Sequence, residues 1–180
     1  MEIVAVTHSG ITTTDYDDSV EEWISNTKDK KFDKTYTELV YQPMLELLDY
    51  LRDNGFKTYI VSGGGADFMR IWTEDIYGIK PYEVVGTYSD VVYEVVDGKP
   101  ILTKNLNNLY FDDKTAKPQA IRRFIGKQPV FCFGNSDGDQ AMMQYTSAHP
   151  DYKSLCGIIW HTDGEREYAY QLKTISGHLE

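Results

Sequence analysis

The chain has 180 residues, 41% apolar and 13% aromatic, with a formal charge of -10. That is enough for one well-filled domain or one domain with a small insert, too short for an ordinary eight-stranded α/β barrel, and unlike a disordered or collagen-like chain. The acidic surplus argues against a nucleic-acid partner and the lack of an eighteen-residue apolar run against a membrane one, although a local pocket can still oppose the global charge and hold an anion.

Met1–His8 opens the chain with a short apolar stretch that periodicity alone does not assign. No cationic-then-apolar leader opens the chain, which leads to the expectation of a cytoplasmic protein. Thr14 with Asp17 three residues on reads as a helix start close to a capping box. That helix carries Val20, Trp23 and Ile24 and fades in the charged stretch Lys28–Lys34. Pro43 opens an amphipathic helix with Met44, Leu47, Leu48 and Leu51 on one face and Gly55 at its stop. Lys57–Val61 reads as a short buried strand running into a Ser62-Gly63-Gly64-Gly65 turn. A helix with Phe68, Ile71, Trp72 and Ile76 follows.

Val84–Gly86, Val91–Val96 and Pro100–Thr103 are β-rich, with Asp97-Gly98 as a hairpin turn. Lys117-Pro118 precedes a helix carrying Ile121, Phe124 and Ile125. Pro129–Phe133 is a second buried strand, ending in Gly134-Asn135-Ser136-Asp137-Gly138-Asp139 ahead of a helix with Met142 and Met143. Leu155–Trp160 is a third apolar strand. Cys132 and Cys156 lie inside these strand-like runs and read as small buried side chains of a reduced protein. The alternation predicts an α/β fold, a mostly parallel sheet with helices on both faces interrupted by one hairpin insert. No repeat, low-complexity segment or inter-domain linker is visible.

In open α/β sheets ligands bind beyond the carboxyl ends of the strands. Two such ends stand out. At Ser62-Gly63-Gly64-Gly65, glycines permit close backbone approach and the Ser62 hydroxyl adds a donor, which suits an anion; a plain tight turn needs the same glycines. At Gly134–Asp139, hard oxygen donors suit Mg²⁺ completed by water and substrate phosphate; the alternative is a loop whose Asp137 caps the next helix. Lys117 is either a solvated cation or the charge that holds a carboxylate and a phosphate together. His8, His149, His161 and His178 show no ligand spacing and read as surface or satisfied core. Glu165 and Glu167 with Tyr168 and Tyr170 read as an ordinary helix face.

In this order and spacing, Val61-Ser62-Gly63-Gly64, Lys117-Pro118 and Phe133-Gly134-Asn135-Ser136-Asp137-Gly138-Asp139 resemble the second, third and fourth motifs of the haloacid dehalogenase (HAD) phosphohydrolases. Tyr36–Met44, Gly55–Gly65, Arg123–Gly126 and His161–Tyr170 look most like the phosphoserine-phosphatase-like group of that superfamily. The resemblance implies a three-layer Rossmann-like core over residues 43–180, a helical cap segment over 1–42, and one structural domain overall. It implies Mg²⁺-dependent hydrolysis of a small phosphorylated molecule through an aspartyl-phosphate. Ser62, Gly63 and Gly64 would bind phosphate, Lys117 would bind phosphate and serve catalysis, and Asn135 and Asp139 would hold or orient the metal, with Asp137 behind them. Self-association into a homo-oligomer stays open.

Two departures qualify the expectation. The family's first motif is a strand ending in Asp-x-Asp-x-Thr, whose first Asp is the nucleophile. The only Asp-x-Asp near the start, Asp15-Tyr16-Asp17, follows Thr12-Thr13-Thr14 in a helical pattern and is rejected. The chain therefore reads as a truncated HAD protein without its nucleophile, or as a non-catalytic remnant that binds phosphate or a partner. The second departure is Asn135, where many HAD proteins carry Asp. A Rossmann-like nucleotide binder is disfavoured because Gly63-Gly64-Gly65 does not fit Gly-x-Gly-x-x-Gly. The missing first strand is expected to be replaced by Glu2–Val6, by direct closure of the two flanking strands, or by a strand from another copy.

Overall fold

The computed structural model describes residues 10–169. They fall into two compact units. The first takes residues 10–60 and Gly64–Phe111, and the second takes Val61–Gly63 and residues 112–169.

In the first unit, α1 spans Thr13–Asn26 and buries Val20 and Ile24. Its cap is Thr12 rather than Thr14. The Thr12 hydroxyl accepts from the Asp15 amide at 3.0 Å and donates to the Asp15 carboxylate at 2.7 Å. Local sequence does not choose among three threonines; the chain before α1 does. The Gly10 amide donates to Lys104 O at 3.0 Å and the Lys104 amide to Ile11 O at 2.9 Å, so the backbone stays extended until Thr12. Helix α2, Gln42–Asp53, has Pro43 in its first turn, where its missing N–H leaves no hydrogen bond unmade, and Gly55 follows with φ +82.

Strand β1, Ile60–Gly65, extends through the residues expected to form a turn. It joins β2, Val84–Val96, and β3, Lys99–Tyr110, in the order β1-β2-β3. The glycines serve strand approach here. A Cβ on Gly86 would lie 2.7 Å from Gly64 O, so the two backbones could not come this close with side chains. The single helix expected after β1 is two short ones, α3 (Ala66–Arg70) and α4 (Thr73–Tyr77). The break fits fully buried Thr73, whose hydroxyl donates to Ile79 O at 3.2 Å. Met69, Ile79 and Val84 form the core, with Leu48, Ile60, Phe68, Trp72 and Tyr77 packed on it.

The hairpin is where it was expected. Asp97 (φ +50) and Gly98 (φ +75) are both left-handed, the signature of a type I′ turn, and Val96 pairs Lys99 across it. β3 runs past Thr103 to Tyr110. Asparagines at 105, 107 and 108 hide that strand from propensity, and cross-strand contacts supply the missing support. Tyr88 stacks on Tyr110 with ring centres 4.7 Å apart, and Asn108 donates to Asp90 at 2.7 Å.

In the second unit, α5 (Ala116–Ala120) continues into a wider turn over Ile121–Ile125 and stops at Gly126, φ +76. Then come β4 (Phe131–Gly134), a 3-10 turn (Asp137–Asp139), α6 (Gln140–Ser147) and β5 (Leu155–Ile158). β4 and β5 pair in parallel, with Cys132 opposite Cys156. Ile121, Cys132 and Met142 make the core, joined by Val61, Ile125, Met143, Tyr145 and Cys156. Both cysteines are free, their sulfurs 3.4 Å apart, and burial pushes the Cys132 thiol up to about 12.

The expected α/β class with one hairpin insert is borne out. Of the three ways to fill the missing strand, Glu2–Val6 lies outside the described residues, and direct closure of β1 onto β4 is not seen among the described residues, where β1 pairs β2 and β4 pairs β5. No described helix is long and apolar enough to cross a membrane.

Candidate functional site

Ser62, Gly63, Lys117, Asn135, Asp137 and Asp139 all belong to the second unit, whereas Gly64 belongs to the first. Lys117 lies inside the first turn of α5, with Pro118 after it, rather than ahead of the helix. Its ammonium is buried and makes two contacts that tie separate segments together. Nζ donates to Val61 O at 3.1 Å and to Asp139 Oδ1 at 2.5 Å. The solvated-lysine alternative is thereby removed.

Asp139 is buried on the other side of that ion pair. Its Oδ2 accepts from the Asn135 amide at 2.8 Å and the Ser136 amide at 3.2 Å, so one carboxylate shapes the whole Gly134–Asp139 loop. The loop is a capping box between Ser136 and Asp139, which replaces the expectation of a cap by Asp137; Asp137 opens the 3-10 turn instead. Gly134 has to be glycine, because a Cβ there would fall 2.4 Å from Asp139 Cβ.

Two acidic residues at this site were not singled out from sequence. Asp112 is 3% exposed, and burial pushes its carboxyl up to about 6, with Lys117 opposing the rise and Asp113 adding to it. Asp113 touches both glycine segments. A Cβ on Gly63 would lie 3.7 Å from Asp113 Cβ, and one on Gly138 would lie 2.6 Å from Asp113 Oδ1. The sequence signal was an Asp-Asp pair four and five residues ahead of Lys117, without an apolar pattern around it.

His161 meets the satisfied-core reading, whereas Glu167 departs from its own. His161 is buried, its Nδ1 is 2.6 Å from Glu167 Oε2, and its Nε2 is 3.4 Å from Asn135 Nδ2. Glu167 is therefore not part of an outward helix face. A tight turn delivers it: the Glu167 amide donates to Asp163 O at 3.0 Å, while Asp163 accepts from the Glu165 and Arg166 amides. The Arg166 guanidinium beside Asp163, helped by those two amides, holds its carboxyl down to about 2.

The donor set bears on a metal. Three of the lone pairs of Asp139 are already committed, so its main role is to position the loop. Asn135 is exposed and carries an amide oxygen. Among the described residues no three His, Cys, Asp or Glu side chains come together as a metal cage. Oxygen donors that are few and partly solvated suit Mg²⁺, which keeps several waters and takes phosphate oxygens as ligands, better than a fully protein-bound ion.

The chain is similar to a protein of unknown function from Anaerococcus prevotii DSM 20548, known from its crystal structure. The TM-score is 0.62 at 21% identity, over 87% of this chain and 46% of that one, so a common fold is shared and this chain spans under half the length of its neighbour. No curated protein matches the sequence. Residues 1–144 match the family model of the haloacid dehalogenase-like hydrolases, and with four-fifths of its length covered the chain belongs to that family.

Proposed function

We propose that this chain carries the phosphate- and metal-binding half of a phosphomonoester hydrolase of the phosphoserine-phosphatase-like group. The supporting observation is Lys117, whose one buried ammonium links the Val61-Ser62-Gly63 segment to the Gly134–Asp139 loop. In this reading Ser62 and the Gly63 and Gly64 amides hold phosphate oxygens. Lys117 supplies charge at the phosphate and keeps Asp139 aligned. Asn135 offers its amide oxygen to Mg²⁺, with Asp137 behind it, residues 1–42 being the cap segment and residues 43–180 the core. Bound Mg²⁺ supplies charge neutralisation at the transferring phosphoryl group. The substrate is a small phosphorylated molecule.

The covalent step needs a carboxylate nucleophile. The 180 residues contain no Asp-x-Asp-x-Thr, and Asp15-Tyr16-Asp17 lies within helix α1. That observation favours, as a second reading, a chain that binds phosphate without turning it over. The test is inorganic phosphate binding by calorimetry with Mg²⁺ present, beside turnover of an aryl phosphate. Phosphate binding that weakens in Ser62→Ala, with turnover no higher than in Lys117→Ala, supports a binding half. Mg²⁺-dependent turnover that vanishes in Asp15→Asn overturns the non-catalytic reading. Absence of phosphate binding overturns both.

A further inference from the structure

The chain has two cysteines, Cys132 and Cys156, and the hydrolase reading uses neither. They stand directly opposite each other in the parallel register of β4 and β5, so both side chains leave the same face of the strand pair. Neighbouring strands run about 4.8 Å apart, inside the range of roughly 4.4–6.8 Å between Cα atoms that a disulfide spans. The sulfurs are already 3.4 Å apart, and a bond of about 2.05 Å needs only about 1.4 Å of further approach. Register, face and spacing thus allow closure without a strand having to slide.

The two sulfurs differ in access. Cys132 is 7% exposed and burial pushes its thiol up, so it stays protonated and shielded. Cys156 is more open. Its Sγ lies 3.4 Å from the hydroxyl of exposed Ser147 and donates to Met143 O at 3.4 Å. A reagent arriving from solvent therefore meets Cys156 first. Cys132 stands behind it at contact distance, within the range of a near-attack geometry.

We propose that Cys132 and Cys156 form a dithiol site, entered at Cys156, which a small disulfide of the glutathione class oxidises to an intramolecular disulfide. Cys156 first gives its proton to water, and its thiolate attacks one sulfur of the small disulfide. That S–S bond breaks, a mixed disulfide forms on Cys156, and the first small thiolate leaves and takes up a proton. Cys132 then loses its proton and attacks Cys156 Sγ, and the second small thiolate leaves and is protonated. The two cysteines lose two electrons and two protons, and the small disulfide gains them as two thiols. The product ties β4 to β5 just ahead of Gly134, and Cys156 no longer donates to Met143 O on α6. None of this depends on the hydrolase reading.

The test places the full chain in a glutathione redox buffer and reads intact mass and free thiols after an acid quench. The native chain should lose two hydrogens and both thiols, retain no glutathione, and recover both thiols in dithiothreitol. Cys132→Ser should stop at one glutathione adduct on Cys156, whereas Cys156→Ser should keep its remaining thiol unmodified while folded. At equal redox buffer the ratio of closed to open pair should be at least about tenfold higher in the folded chain than in urea, because the fold holds the sulfurs in contact. A native chain that ends as a stable glutathione adduct, keeps both thiols, pairs only between two copies, or closes no better folded than in urea overturns the proposal. Equal adduct formation in the two single variants overturns the entry at Cys156.

Discussion

The ion pair of Lys117 and Asp139 is the most consequential single interaction of the second unit. Its side chains are 8% and 7% exposed, so neither charge is screened by much water. Removing one partner of such a pair strands a buried charge and typically costs about 3–5 kcal/mol. Lys117→Met keeps most of the volume and removes the ammonium. Asp139 then still has two amide donors, and hydrogen bonds to a charged group are worth about 1.5–3 kcal/mol each, so the cost falls near the lower end, about 3 kcal/mol. Asp139→Asn strands Lys117 and loosens the loop together, so it should cost at least as much. The double variant should cost less than the sum, with a coupling of about 1–3 kcal/mol, because neither charge is then stranded. Urea unfolding read by near-UV and far-UV circular dichroism gives all four stabilities, and coincidence of the two probes checks two-state behaviour. A Lys117→Met loss under about 1 kcal/mol, or strict additivity in the double variant, would refute the view that this pair organises the loop.

Two further outcomes follow from the same unit. Asp112 has a folded pKa of about 6, above its ordinary value of 3.8, so its contribution to stability is complete below about pH 4 and is lost as pH rises through 6. Native stability should therefore fall by roughly 2–3 kcal/mol between pH 4 and pH 7 relative to Asp112→Asn, and parallel pH–stability curves for the two proteins would contradict this. Gly134→Ala should cost upwards of about 2 kcal/mol and shift the Asn135 and Asp139 amide resonances, because its new methyl meets Asp139 Cβ at 2.4 Å; an unshifted spectrum would mean the loop does not need glycine.

Legibility followed how local each cause is. The α2 boundaries, the Asp97-Gly98 hairpin and the apolar strands β4 and β5 are written in residues next to one another: proline at a first turn, two left-handed turn residues, continuous apolar runs. The Thr12 cap, the extension of β1 through its glycines and the length of β3 are set by partners elsewhere in the chain. These are Lys104 for the cap, Gly86 for β1, and Tyr88 with Asp90 for β3. At the site, Lys117, Asn135 and Asp139 could be picked out by motif spacing, because their residue types and order are themselves the signal. Asp112, Asp113, His161 and Glu167 could not. A histidine six residues from a glutamate carries no periodicity, and their meeting depends on a turn anchored by Asp163.

The charge around Lys117 leads to one last expectation. Asp112, Asp113, Asp137 and Asp139 face Lys114 and Lys117 as the ionisable groups of these two loops, an excess of acid when all are ionised. Lys117 is already paired with Asp139, and its charge also acts on Asp112. A phosphate dianion arriving alone would meet carboxylates whose nearest cation is committed, and unscreened like charges inside a protein repel by several kcal/mol. Backbone amides and the Ser62 hydroxyl are dipoles, too weak to reverse that sign by themselves. A divalent cation at the Asn135 side would change it, adding two positive charges where the loop carries acid. Phosphate and Mg²⁺ binding should therefore be linked: each should raise the affinity for the other by the same factor, of order tenfold or more, in titrations run in both orders. Asp113→Asn should strengthen phosphate binding without Mg²⁺ and shrink the linkage, since it removes a negative charge beside Gly63 and Gly138. Phosphate that binds equally well in the presence of a chelator would show that Lys117 is free to meet the anion on its own, and the electrostatic account of this site would then be wrong.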